Sequence, residues 1–188
     1  ELQRLGQPIP WGAGLGSESF ELTCHCMIGA RTLGEALRLA QRLNELLYPL
    51  NRYRMRLLEE PAGQLVRLEY EIEVPEGETD LIPEGWDRAD YKVTAARASG
   101  LLVWHAYCGW LTGDALTADE LRIMAPSINR EYRDSLERIF NCPVHFDATE
   151  NSFSFRRELL ERRIVHTSES LAEFLRNSIY HLIAIDRV

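Results

Sequence analysis

The 188-residue chain lacks several things, and each lack narrows its chemistry. No apolar run approaches the ~20 residues that a membrane-crossing helix needs. No basic n-region followed by an apolar h-region opens the chain. A cytoplasmic location is therefore expected, with no role for a membrane. Four cysteines at irregular spacing do not make a disulfide framework. There is no glycine-rich phosphate loop, no G-x-S-x-G elbow and no H-E-x-x-H. The histidines, at 25, 105, 145, 166 and 181, are scattered. Catalysis has no motif to carry it, no cofactor is implied, and the chain reads as a non-enzyme. Dense basic clusters are missing too. The nearest to one are Arg52, Arg54 and Arg56, then Arg156 with Arg157 and Arg162 with Arg163, in a chain of net charge −8. A domain that grips a phosphate backbone carries a basic stripe, so these residues are not expected to bind nucleic acid directly.

What is there reads as a globular α+β chain, 45% hydrophobic and 27% charged. Residues 1–19 are rich in Gly and Pro and read as an irregular lead-in. Phe20 to Ile28 reads as a buried strand that Gly29 breaks. Thr32 and Glu35 form a capping box. Leu33, Ala36, Leu37, Ala40, Leu43 and Leu47 follow at helical spacing until Pro49 ends the helix. Tyr53, Met55 and Leu57 then alternate with Arg54 and Arg56. After a turn at Pro61–Gly63, Val66, Leu68, Tyr70 and Ile72 alternate with Arg67, Glu69 and Glu71. This predicts a hairpin with one buried face and Arg–Glu pairs across the other.

An acidic loop from Pro75 to Pro83 leads to a long helix, predicted from Trp86 to Leu111 and closed near Gly113. A short strand follows at Leu121–Met124. Then come a helix carrying Tyr132, Leu136, Ile139 and Phe140 and a second hairpin with Val144, Phe146, Phe153 and Phe155 facing inward. Ser170 and Glu173 read as a capping box that starts a last helix. The expected architecture is two strand–helix–hairpin units, at 20–74 and 121–155, joined by the long helix. They form an antiparallel sheet with helices packed on it and a groove for a ligand.

Two blocks carry a family likeness. One is Tyr132 followed by Ile139, Phe140, Asn141, Cys142, Pro143, Val144 and Phe146, then Ala148 to Asn151, Phe153 and Phe155. The other is the Gly29–Arg38 run around Thr32, Leu33, Gly34 and Glu35, and Ala125–Pro126 fits beside them. Their joint order resembles the N-terminal effector-binding and dimerisation domain (arabinose-binding type) of AraC-type bacterial transcription regulators. The resemblance implies a domain that senses a small-molecule effector and self-associates, while a C-terminal domain with two helix-turn-helix motifs binds DNA. Nothing after residue 165 reads as two such motifs, so DNA binding is expected only through a domain absent from this chain. The division expected is a lead-in at 1–19, a sensing domain at 20–165, and a C-terminal helix at 166–188 that serves as interface or link.

Candidate site residues follow. Trp104 and Tyr107 share a face of the long helix. With Tyr70 of the first hairpin and Trp86 they are candidates to line the groove; the competing reading is ordinary core packing. On the last helix, Leu171, Phe174, Leu175 and Leu182 are candidates for a dimer interface. Cys24 and Cys26 point to one face if their segment is a strand. With Cys108 or Cys142 they offer an alternative metal or redox site; the competing reading is small buried hydrophobes. Glu69, Glu71 and Glu73, with Glu76, Glu78 and Asp80 beyond, attract a cationic ligand or form a solvated strand face. A catalytic module on the same scaffold is the remaining alternative class.

Overall fold

The computed structural model describes residues 17–51, 53–60, 63–73 and 89–184. Two helices open it. Helix α1 (Ser17–Met27) buries Phe20, Thr23, Cys24 and Met27. These positions are i, i+3, i+4 and i+7, the helical template. The strand expected over 20–28 is therefore a helix. Phe20, Leu22, Cys24, Cys26 and Ile28 also alternate, which is why a strand could be read there, but Leu22 lies exposed. The β-branched Thr23 is accommodated because its hydroxyl donates to the Ser19 carbonyl at 2.8 Å.

Helix α2 (Leu33–Asn51) starts at the expected cap, where the Glu35 amide donates to Thr32 Oγ1. The Glu35 carboxylate reaches one residue further back than a capping box requires, to the amide of Arg31 at 3.0 Å. The helix does not end at Pro49 but runs to Asn51. Pro49 has no amide to bond to the Glu45 carbonyl, and the helix ends two residues beyond it.

Strands β1 (Tyr53–Glu59) and β2 (Leu65–Ile72) form the predicted hairpin, with Met55 opposite Tyr70 and Leu57 opposite Leu68. On the other face Arg54 meets Glu71 at 2.6 Å and Arg56 meets Glu69 at 3.0 Å. The acidic loop at 75–83 lies outside the described residues, as does Trp86. The long helix α3 spans Ala89–Thr112 and stops at Gly113, whose φ of +69° suits a residue without a Cβ.

Strand β3 (Ala118–Arg122) begins three residues before the predicted Leu121, in a polar stretch. Helix α4 (Arg130–Phe140) is capped by Asn129, which accepts from the Tyr132 amide at 2.8 Å, and ends at Asn141 in the left-handed region. Strands β4 (Val144–His145) and β5 (Ser152–Arg156) complete the sheet. A 3-10 turn (Arg157–Glu161) and helix α5 (Ser168–Ala184) end the described chain. The cap of α5 lies three residues upstream of the expected one: Ser170 Oγ accepts from the Thr167 amide at 2.9 Å, and Thr167 Oγ1 accepts from the Ser170 amide.

The fold is α+β: a five-stranded, mostly antiparallel sheet with helices packed on it. Strand order is β1-β2-β5-β3-β4. The predicted second hairpin does not exist as such, because β3 lies between its two strands. Strand β4 pairs with β3 in parallel, and β5 pairs antiparallel with both β2 and β3. Phe153 therefore faces Leu68 on one side and Leu121 on the other. The two-unit pattern fails at both ends: the first unit begins with a helix and the second lacks its hairpin. The inner sheet face carries Tyr53, Met55, Leu68, Tyr70, Leu121, Val144, Phe153 and Phe155, all buried.

Candidate effector site

The deepest contact between sheet and helix forms where α3 crosses β2. Gly100 has no side chain there, and the Tyr70 ring occupies the space. Just beyond, Asn151 holds three segments together. Its carbonyl accepts from the Tyr70 amide at 2.9 Å, and its Nδ2 donates to the Tyr70 carbonyl at 3.0 Å and the Arg97 carbonyl at 3.2 Å. Asn151 is 4% exposed, so it fastens β2, β5 and α3 inside the protein and is not a surface turn residue.

Against this fastening lies a cleft of about 180 Å³ lined by Tyr48, Tyr70, Glu71, Ile72, Glu73, Arg97 and Met124. Helix α2 contributes Tyr48, the end of β2 contributes Tyr70 to Glu73, and α3 contributes Arg97. Arg97 projects from α3 and donates through Nη1 to the Met124 carbonyl. Burial pushes its guanidinium below its ordinary value. Among the described residues no carboxylate lies within 4.0 Å of it. Glu71 is already engaged, by Arg54 at 2.6 Å and Arg56 at 2.5 Å. Glu73 accepts one bond, from the Tyr48 hydroxyl at 3.1 Å. That hydrogen bond raises the Tyr48 pKa. The Arg54 guanidinium sits 5.0 Å from the Tyr48 ring centroid, which fixes the ring beside the cleft.

The sequence-predicted residues divide. Tyr70 lines the cleft. Trp104 and Tyr107 do not: both are fully buried, packed edge-on against Phe20 of α1 with ring centroids at 6.1 and 5.8 Å. Leu171 and Phe174 are buried within this chain, so they are part of its own core; Leu175 packs at the core edge. The Leu182 side chain lies outside the described residues. Phe174 stacks on Trp110 at 4.4 Å, and Trp110 stacks on His166 at 4.0 Å, which ties α5 to the end of α3.

The helical conformation of α1 undoes the paired-cysteine site. Residues two apart on a helix are about 200° apart around its axis, so Cys24 is buried and Cys26 exposed. Burial pushes the Cys24 thiol far up and the Cys108 thiol up to about 12. Such thiols are poor nucleophiles and poor metal ligands. Among the described residues no three His, Cys, Asp or Glu gather as a metal site. Among the described residues of the acidic run, Glu69 and Glu71 are neutralised by arginines and Glu73 lines the cleft without one; Glu76, Glu78 and Asp80 lie outside the described residues. Among the described residues no helix is long and apolar enough to cross a membrane.

Sequence reasoning missed Arg97, Tyr48, Met124 and the role of Asn151. Arg97 had a faint signal: it is a charge flanked by Ala95, Ala96 and Ala98 on a helix otherwise apolar through this stretch.

The family described as the arabinose-binding domain of AraC transcription regulators, N-terminal, matches residues 6–164. The chain belongs to this family. It is thereby a regulatory domain of the AraC type. In fold it is similar to the crystal structure of the transcriptional regulator CdpR from Pseudomonas aeruginosa. The TM-score is 0.52 at 22% identity, over 87% of this chain and 49% of that one. The chain thus spans about half the length of that regulator. No curated protein sequence matches the chain.

Proposed function

We propose that this domain senses a small-molecule effector in the cleft between the end of β2 and α3, and relays occupancy to a helix-turn-helix DNA-binding domain outside these residues. The observation that carries this reading is the half-buried Arg97 guanidinium in a cleft of an AraC-type regulatory domain, without a carboxylate partner among the described residues. The cleft joins α2, β2 and α3, and the Trp110–Phe174 stack connects the far end of α3 to α5. An effector that binds one arrangement of these elements more tightly shifts its population; one that binds both equally shifts nothing. The role is binding and not turnover. Incubation with candidate metabolites raises the melting temperature and leaves the metabolite intact. Consumption of any of them overturns the non-catalytic reading.

Self-association finds its support on α2, since Leu171 and Phe174 of α5 are used inside the chain. Leu39, Leu43, Leu46 and Leu50 fall at the four-three-four spacing of a coiled-coil seam. Leu46 is 78% exposed and Leu50 80%. A second copy of the same stripe is the matching partner, and sedimentation of the purified chain tests it.

A further inference from the structure

From the charges that line the cleft, we infer that its effector is a small zwitterion of the α-amino-acid type, its carboxylate on Arg97 and its ammonium on Glu73. This rests on the sensing reading above and narrows it to a ligand class. Three observations lead there. Arg97 spends one nitrogen on the Met124 carbonyl, and no described carboxylate balances its charge. A guanidinium partly withdrawn from water is stabilised most by a carboxylate, which it can engage through two parallel bonds. Glu73 also lines the cleft; it is the lining carboxylate whose charge no described arginine cancels, and the Tyr48 hydroxyl donates to it. Glu71 is discounted because both of its oxygens are held by Arg54 and Arg56.

The lining also includes Tyr70, Ile72 and Met124, a surface for a short apolar stem. A simple anion leaves Glu73 unmatched, and a simple polyamine leaves Arg97 facing a like charge. A molecule with both charges matches both ends. A cleft of about 180 Å³ falls below the ~300 Å³ at which drug-sized pockets begin, which favours a ligand of amino-acid size.

The test uses the 188-residue chain and melting curves with each standard amino acid at millimolar concentration. Alongside run the matching amines without the carboxylate, the matching acids without the amine, and a set of neutral sugars. The expected result is stabilisation by one or more amino acids and little by the singly charged analogues. Calorimetry on Arg97→Gln then shows binding weakened by about ten- to a hundredfold, the scale of a lost charged hydrogen-bonded pair. Arg97→Lys recovers part of it. Glu73→Gln, at an exposed position, weakens binding of the amino acid but leaves binding of the matching acid unchanged. Stabilisation by a sugar or a singly charged analogue, with no amino acid effective, overturns the zwitterion and leaves the sensing reading standing. No stabilisation by any class overturns both. Equal binding by wild type and Arg97→Gln overturns the assignment of Arg97.

Discussion

Tyr70 and Gly100 share one volume: a Cβ on Gly100 would fall 2.7 Å from the Tyr70 Cζ and closer still to two other ring carbons. Helix α3 can approach β2 only because residue 100 has no side chain. Gly100→Ala must push the ring or the helix away, and overpacking of this kind costs about 1–3 kcal/mol. Gly29→Ala is the matched control, since its Cβ meets nothing within 4 Å. Urea denaturation should separate the two variants by that amount and leave the control near wild type.

Asn151 supplies the bonds that hold the same junction, to the carbonyls of Tyr70 and Arg97. Asn151→Ala leaves the buried Tyr70 carbonyl without its Nδ2 donor, at about 1–3 kcal/mol. It should also speed amide exchange at the N-terminal half of α3. Unchanged exchange there would show that the fastening is not needed.

His105 gives the domain an acid-sensitive term. Its Nε2 lies 2.7 Å from the Leu116 carbonyl, and its ring is 4.6 Å from Phe140. Burial holds its pKa below the ordinary 6.5. The unfolded chain therefore takes up the proton first. The contribution is complete above about pH 6.5 and is lost as pH falls through that value towards the folded pKa. The slope is at most about 1.4 kcal/mol per pH unit for one proton. His105→Gln, which can still donate to Leu116, should flatten the urea midpoint between about pH 7 and pH 5.5. The carboxylates held below their usual range, Glu35, Glu150 and Glu169, act at lower pH and leave this window unaffected.

Thiol labelling separates the cysteines. Cys26 is exposed, while Cys24, Cys108 and Cys142 are buried with raised pKa values. In the folded protein one thiol should react quickly with a disulfide reagent, and Cys26→Ser should remove that phase. A second fast phase removed by Cys24→Ser would contradict the burial of α1 against the core.

The proposed self-association through the α2 leucines has a direct test. Leu46→Glu with Leu50→Glu should reduce a dimer to monomer in sedimentation and leave the melting temperature of the monomer within about 1 kcal/mol of wild type in stability terms. A dimer that survives both substitutions places the interface elsewhere.

Much of the architecture was legible because the residues repeat at a single period. The β1–β2 hairpin alternates from Tyr53 to Leu57 and from Val66 to Ile72, and its Arg54–Glu71 and Arg56–Glu69 pairs sit where that alternation places them. Helix α1 was misread because its apolar residues satisfy both periods at once. The second hairpin was misread for a different reason. Val144 and Phe153 are close in sequence, and nothing local reveals that Leu121 comes between them. The site was the least legible part. Trp104 and Tyr107 announce themselves by size, yet size also suits a core. Arg97 is one arginine among many until its neighbours in space are known.

The strand order has a consequence for how the chain is made. The last strand in sequence, β5, is the middle strand of the sheet. Until Arg156 is available, the β1–β2 hairpin and the β3–β4 pair each present an open edge and have nothing to join them. On a growing chain the sheet therefore cannot be completed until β5 is available. The cleft, whose Tyr70 and Arg97 are tied by Asn151 beside that strand, cannot exist before the closure. An effector held in the proposed cleft would have to wait for that closure.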